Sequence, residues 1–221
     1  MFRIICDFDG TITVTDVVDQ LLEEFAAPEW QAIEREWCEG YISSQECLSR
    51  QVALLRAQRH QLTRFFHQVV IDSTFPAFAE FCAARSLPLI VVSDGFDIAV
   101  RQVLARHRLG HLPVVANRLE LYTMDRWSLT CPYAATHCQL RAGVCKCRVI
   151  GPTDKQIVLI GDGRSDTCVA RHADIVLAKG YLADYCVTER IPHLQIRGFA
   201  DALLILQQLL SYTTEPVQYY H

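Results

Sequence analysis

A surplus of positive charge is missing from this sequence. Its 21 lysines and arginines are outnumbered by 25 aspartates and glutamates, for a net charge of −4. Nothing is left over to neutralise a phosphate backbone, so no nucleic-acid partner is expected. Long hydrophobic runs are missing too. No stretch approaches the roughly 18 apolar residues of a membrane span, so no membrane partner is expected either. The apolar stretch that opens at Phe2 stops at Asp7, too soon for a signal-peptide core, and the expected location is the cytoplasm. Internal repeats and low-complexity segments are also lacking. The balance of 51% hydrophobic and 21% charged residues excludes a disordered or fibrous chain. With 221 residues the chain can bury about 70% of its unfolded surface without a disulfide or metal staple. One domain, or a core domain with an insert, is expected.

Cysteine, by contrast, is plentiful, with ten residues. Cys6, Cys47, Cys82 and Cys168 sit in apolar runs, where a thiol behaves as a small buried hydrophobe. Cys131, Cys138, Cys145 and Cys147 fall close together with the spacing C-x6-C-x6-C-x-C. Zinc sites favour pairs two to four residues apart, so neither stoichiometric zinc nor a disulfide is the expectation, and reduced, partly buried thiols are.

Strand and helix signals alternate after the first third. Apolar runs at Phe2–Phe8, Leu87–Val92, Gln156–Ile160 and Asp174–Ala178 read as buried strands. Amphipathic segments at Pro76–Arg85, Asp97–Arg106, Ser165–Arg171 and Phe199–Ser211 separate or follow them. Continuous apolar strands between helices predict an α/β fold with a doubly wound parallel sheet. Residues 14–73 have no strand-like run and read as helices at Asp16–Ala26, Glu29–Glu39, Ser44–Arg56 and Gln61–Val69. Pro28 is expected in the first turn of the second, and Ser43 to Glu46 have capping-box spacing for the third. This helical insert is expected to cap the C-terminal edge of the sheet, where open α/β folds bind ligands. The expected division is a core of residues 1–13 and 74–221 and a helical cap of residues 14–73. Residues 114–131 alternate in character and suggest a hairpin flap.

Three polar clusters end three of the strands: Asp7-Phe8-Asp9-Gly10-Thr11, then Ser93-Asp94-Gly95, then Gly161-Asp162-Gly163-Arg164-Ser165-Asp166. Each alone is an ordinary turn signal. Jointly, in a parallel sheet, they converge on one crevice, where the four carboxylates of Asp7, Asp9, Asp162 and Asp166 would repel one another unless a cation held them. Hard oxygen donors in small number suit Mg²⁺ together with a substrate phosphate. Backbone N–H groups, Ser93 and one lysine would complete a phosphate site. The eight histidines show no metal spacing; His107 and His111 are separated by Gly110 and read as surface residues.

These motifs resemble those of the haloacid dehalogenase superfamily of phosphatases. The first cluster resembles its first motif, Ser93 its second, Lys146 its third-motif lysine and Gly161–Asp166 its fourth; the insert resembles the type 1 cap. Within the superfamily the chain is similar to phosphoserine phosphatases. It is more similar still to the 2-hydroxy-3-keto-5-methylthiopentenyl-1-phosphate phosphatases, through the stretch Gly40–Gln51 and the pair Cys145-Lys146. The resemblance implies a Mg²⁺-dependent phosphomonoesterase acting on a small-molecule phosphomonoester. In that scheme Asp7 is the nucleophile that forms an aspartyl-phosphate, and Asp9 donates and then accepts the proton. Asp7, the Asp9 carbonyl and Asp162 hold the metal, with Asp166 behind them. Thr11, Ser93, Asp94 and Lys146 belong to the phosphate-binding set. Two departures stand out. Cys147 follows the lysine where proline is usual, and Asp94 replaces glycine, so its side chain must point away from the phosphate.

The cap positions bear on substrate. By the resemblance, Asp16 takes the place of a glutamate that meets an ammonium. Arg50 and Gln51 compete for the place of an arginine that meets a carboxylate. About 100° of rotation separates neighbours on a helix, so Arg50 and Gln51 face different ways. If Gln51 faces the site, its amide suits hydroxyl and keto groups better than a carboxylate. A neutral keto- or hydroxy-alkyl phosphate is then expected over phosphoserine. The alternatives are an amino-acid or amino-alcohol phosphate, and, from another class, a catalytically silent binding protein. Retention of Asp7, Asp9, Asp162 and Lys146 argues against the silent copy, and a closing cap disfavours a protein substrate.

Overall fold

In the computed structural model, which describes residues 2–214, seven strands form one sheet in the order β4-β3-β2-β1-β5-β6-β7. They are β1 (Phe2–Cys6), β2 (Leu89–Phe96), β3 (Val114–Leu121), β4 (Trp127–Thr130), β5 (Gln156–Gly161), β6 (Ile175–Ala178) and β7 (Leu194–Gln195). All neighbours run parallel except β3 and β4. The central strand β1 is nearly all apolar and buried, as a parallel strand covered on both faces must be. Helices α5 (Phe75–Ala84) and α10 (Phe199–Thr214) pack together, with the Phe75 and Phe199 rings edge to face at 4.7 Å. Of the core range expected to end at residue 221, residues 215–221 lie outside the described part.

Register positions the chemistry. Cys6 at the end of β1 pairs with Val91 on one side and Ile160 on the other. The residues that follow, Asp7, Ser93 and Asp162, therefore emerge at one C-terminal edge. β2 does not stop at Val92 as its apolar run suggests. It continues through Ser93, Asp94 and Gly95 to Phe96, with an irregularity against β3 between Val92 and Phe96. The expected flap over residues 114–131 is a hairpin that extends the sheet itself: β3 pairs parallel with β2, and β4 closes that edge.

Between β1 and β2 come five of the ten helices among the described residues: α1 (Val17–Phe25), α2 (Trp30–Cys38), α3 (Ser44–Leu54) and α4 (Arg59–Phe66), followed by α5. The Asp16 side chain caps α1 by accepting from Asp19 N–H at 3.0 Å, and Ser43 caps α3 by accepting from Glu46 N–H at 3.2 Å. Pro28 lies just before α2 rather than inside it, and Glu29 is its N-cap. Its ring leaves no N–H to satisfy, while its carbonyl accepts from Gln31 N–H at 3.2 Å, which closes the turn into the helix. Beyond β3 come α7 (Lys146–Ile150), a 3₁₀ turn at Arg164–Asp166, α8 (Thr167–Ala170) and α9 (Gly180–Thr188); α6 (Asp97–Arg106) follows β2 directly. Among the described residues no helix is long and apolar enough to cross a membrane.

Candidate active site

Asp7 follows β1 directly and its side chain is buried. Lys146, the first residue of α7, is buried as well and places its Nζ 2.5 Å from both Asp7 Oδ1 and Asp166 Oδ1. Its third donor goes to Ser165 Oγ at 3.1 Å. Oxygens of Asp7, Asp162 and Asp166 lie within 4.8 Å of one another. One lysine does not balance so many carboxylates away from bulk water. Burial pushes the Asp7 carboxyl well above its ordinary range, with Lys146 opposing and the other aspartates adding to the shift. Burial likewise lifts Asp162 to about 6 and Asp9 to about 8. Crowded, partly uncompensated carboxylate oxygens are what a small hard divalent cation needs, so the donor set fits one.

Asp9 stands apart from this trio. Its Oδ2 accepts from Ser93 Oγ at 2.8 Å and its Oδ1 from Val17 N–H at 3.3 Å. The side chain is thereby held toward the cap side, away from the metal-type cluster, so the Asp9 carboxylate is not one of the cluster's three donors. Ser93 in turn accepts from Gly95 N–H at 2.8 Å. Gly10 has φ +68°, and a Cβ there would collide with the Asp162 carboxylate. This glycine lets the loop after β1 close down on the loop after β5.

Two side chains of the expected phosphate-binding set are engaged by neighbouring residues. The Thr11 hydroxyl donates to Asp162 Oδ1 rather than facing the crevice centre. The Asp94 side chain lines the crevice but is taken up by three donors: Ser44 Oγ at 2.6 Å, Val144 N–H at 2.8 Å and Asn117 Nδ2 at 3.1 Å. Its charge is committed to those donors and is no partner for an anion.

Above this floor lies a cavity of about 400 Å³ that reaches Asp7, Asp9 and Asp162 below and α1, α2 and α3 above. Val18, Trp37, Cys47 and Leu48 give the upper wall its apolar surface. Gln51 faces this cavity, buried, with its Nε2 donating to Glu34 Oε2 at 2.8 Å. Arg50 faces away and pairs with Glu36 at 2.7 Å. Asp16 also lines the cavity, joined by Asp19 and Glu34. Solvent reaches Asp16 and Asp19, yet burial in the cleft and the charge of Glu34 hold both carboxyls up, and Asp16 adds to the shift of Asp19, which is lifted to about 7. Arg164 is the cation of the lining, and its guanidinium lies 4.2 Å from the Tyr181 ring centroid and donates to the Tyr181 hydroxyl. Asp19, Glu34 and Trp37 were not legible as site residues, because helical spacing alone does not say which face of α1 or α2 meets the crevice.

The cysteine stretch borders the site without entering the carboxylate cluster. Cys138 and Cys145 pack with Ala142 in a small satellite core, while Cys131 and Cys147 are partly exposed. The Sγ of Cys147 lies 3.2 Å from that of Cys168, a neighbour the spacing did not foretell. His107 ends α6, and His111 is exposed in the loop that follows.

Comparison with known proteins agrees with this geometry. The chain is 32% identical over 210 residues to a 2-hydroxy-3-keto-5-methylthiopentenyl-1-phosphate phosphatase of Brevibacillus brevis, covering 92% of this chain and 94% of that one. It is 30% identical to the protein of the same name from Geobacillus kaustophilus, with the same coverage. Among solved structures, a phospho-aspartyl intermediate analogue of phosphoserine phosphatase superposes with a TM-score of 0.66 at 21% identity, covering 95% of this chain and 97% of that one. A substrate-bound phosphoserine phosphatase complex superposes with a TM-score of 0.66 at 20% identity, covering 96% and 98%. These two show a shared fold. The family profile of haloacid dehalogenase-like hydrolases matches residues 4–171, which span every strand-end cluster just described, and the chain belongs to that family.

Proposed function

We propose that this protein is a Mg²⁺-dependent phosphomonoesterase of the cytoplasm that hydrolyses a small, uncharged keto- or hydroxy-alkyl phosphate through an aspartyl-phosphate on Asp7. Residues 14–73 act as a cap over the crevice, and the remainder forms the catalytic core. The Asp7 carboxylate attacks phosphorus as the bond to the leaving oxygen breaks. Asp9, whose burial keeps its proton up to a pH of about 8, gives that proton to the leaving oxygen. It then accepts one from the water that cleaves the phosphorus–Asp7 bond, which frees inorganic phosphate and restores both carboxyls. Lys146 spans the nucleophile and Asp166, and with Ser93 would meet the phosphoryl oxygens. Asp7, the Asp9 carbonyl and Asp162 would hold Mg²⁺, with Asp166 behind them, and the ion would supply the neutralisation that lets a carboxylate approach an anionic phosphate.

The observation that carries the substrate class is the upper wall. Arg50 is turned out to Glu36, Gln51 is turned in, and Arg164 is engaged with Tyr181. The one cation of the described lining, Arg164, lies against Tyr181, while Asp16, Asp19 and Glu34 would repel a substrate carboxylate. The Gln51 amide and the apolar surface of Val18, Trp37 and Leu48 suit a hydroxylated carbon chain with an apolar tail. The names of the relatives above support the same reading. The acidic trio also favours a second reading, an amino-alcohol phosphate whose ammonium it would meet. Turnover of 2-hydroxy-3-keto-5-methylthiopentenyl-1-phosphate, phosphoserine and phosphoethanolamine at matched Mg²⁺ separates the two. We expect kcat/KM for the first to exceed that for phosphoserine by at least about tenfold. Equal turnover of phosphoserine would refute the uncharged-substrate reading, and preference for phosphoethanolamine would establish the second.

A further inference from the structure

Asp94 belongs to the crevice, yet the reaction as derived makes no use of it. Its carboxylate joins three distant parts of the chain. Oδ2 accepts from Ser44 Oγ, at the first residue of α3 in the cap, at 2.6 Å. Oδ1 accepts from Val144 N–H at 2.8 Å, two residues ahead of Lys146. Asn117, buried on β3, donates its amide to both Oδ1 and the backbone carbonyl of Asp94. The Asn117 Oδ1 is left buried without a partner, so Asp94 decides which way this amide points. Gly143 fits against the Asn117 amide so closely that a Cβ there would lie 2.5 Å from Oδ1. A second bond joins the same surfaces: Gln45 N–H donates to Arg141 O at 3.2 Å.

We propose that Asp94 is a positioning residue that latches the start of α3 onto the core and, with the same carboxylate, fixes the 143–145 turn that delivers Lys146 to Asp7. Both contacts depend on one side chain, so a cap held closed and a correctly placed Lys146 arise together. The side chain offers one oxygen to each side, so a single residue serves the cap and the turn at once. The proposal rests on the phosphatase reading for the role of Lys146, and its test therefore includes a readout independent of turnover.

The experiment uses the full chain with Mg²⁺ and p-nitrophenyl phosphate, and amide hydrogen exchange without substrate. Ser44→Ala removes only the cap end of the latch. KM should rise about tenfold with kcat within about threefold, and exchange at the Gln45 amide should accelerate by a similar factor. Asp94→Ala removes both ends and should lower kcat as well, because the turn before Lys146 loses its acceptor. Asp94→Asn can still accept from Val144 N–H and donate to Ser44 Oγ, so it should recover most of the kcat lost in Asp94→Ala. The latch is overturned if Ser44→Ala leaves both KM and Gln45 exchange within twofold of the parent, or if Asp94→Asn is as impaired as Asp94→Ala. Should Asp94→Ala not fold, the exchange and KM of Ser44→Ala decide. Absence of turnover in the parent would sink the phosphatase reading, while the exchange measurement would still decide the latch.

Discussion

Lys146 Nζ touches Asp7 and Asp166 at the same distance, and this shared contact governs what a change at Asp7 does. Asp7→Asn keeps the shape of the side chain and removes the nucleophile. Lys146 retains Asp166, so its charge is not left buried alone, and the fold should survive by circular dichroism. Initial rates with saturating Mg²⁺ should fall by about three orders of magnitude or more; near-normal turnover would remove Asp7 from its role. At this scale the sequence was informative where a residue follows a strand. Asp7, Ser93 and Asp162 each end an apolar run, and parallel pairing brings such ends together whatever the loops do. Contacts that cross from one segment to another were not legible. Nothing local says that Asp94 meets Ser44, fifty positions away, or that Thr11 turns to Asp162. For Arg50 and Gln51 the helix geometry required opposite faces, but only the packing of α3 against α2 decides that Gln51 is the inward one.

Helices α1 and α2 bring Asp16, Asp19 and Glu34 to one wall, and the consequence shows in pH dependence. Burial and the charges of Asp16 and Glu34 raise Asp19 from an ordinary 3.8 to about 7. Between those values the folded chain holds a proton that the unfolded chain has released. This group's contribution to stability is therefore full below about pH 4 and is lost as pH rises to about 7. Solvent access softens the repulsion, so the effect is expected to be small but of definite sign. Asp19→Asn removes it: the melting temperature of the variant relative to the parent should climb from pH 4.5 to pH 8, ending with the variant the more stable. A difference that stays flat across that range would show that the trio does not repel in the free protein. The helices themselves were legible from their apolar spacing and caps. Helix α9 was not. It starts at Gly180, which has φ +53° and offers no side-chain cap, and its Leu182, Ala183 and Cys186 are buried without a marked polar face opposite. The two-residue β7 is too short for any period to register.

For the molecule as a whole, the sheet, the loops beyond its C-terminal edge and the cap converge on a knot of like charge. Asp7, Asp162 and Asp166 crowd together with Asp9 nearby, and Lys146 is the buried lysine set among them. Raised carboxyls at Asp7, Asp9 and Asp162 mean that part of this charge is relieved by protons when no cation is bound. Unfolding disperses the aspartates over a chain in which they no longer form a site, so a divalent cation binds the folded state alone. Linkage then fixes the size of the effect. At a concentration about a hundred times its dissociation constant, Mg²⁺ should add about 2.7 kcal/mol. For a chain of this size that is a rise in melting temperature of about 5–10 °C over a sample in EDTA at matched ionic strength. The sign with pH is also set. Mg²⁺ must displace the protons on the raised carboxyls, so the rise should be larger at pH 8 than at pH 5.5. Asp162→Asn takes away one of the three donors, and should shrink the rise at both values while raising the melting temperature in EDTA, where it relieves repulsion. Equal melting temperatures of the parent chain in Mg²⁺ and EDTA at pH 8 would show that the carboxylate cluster is held together by Lys146 and protons alone, and would remove the metal from the proposed reaction.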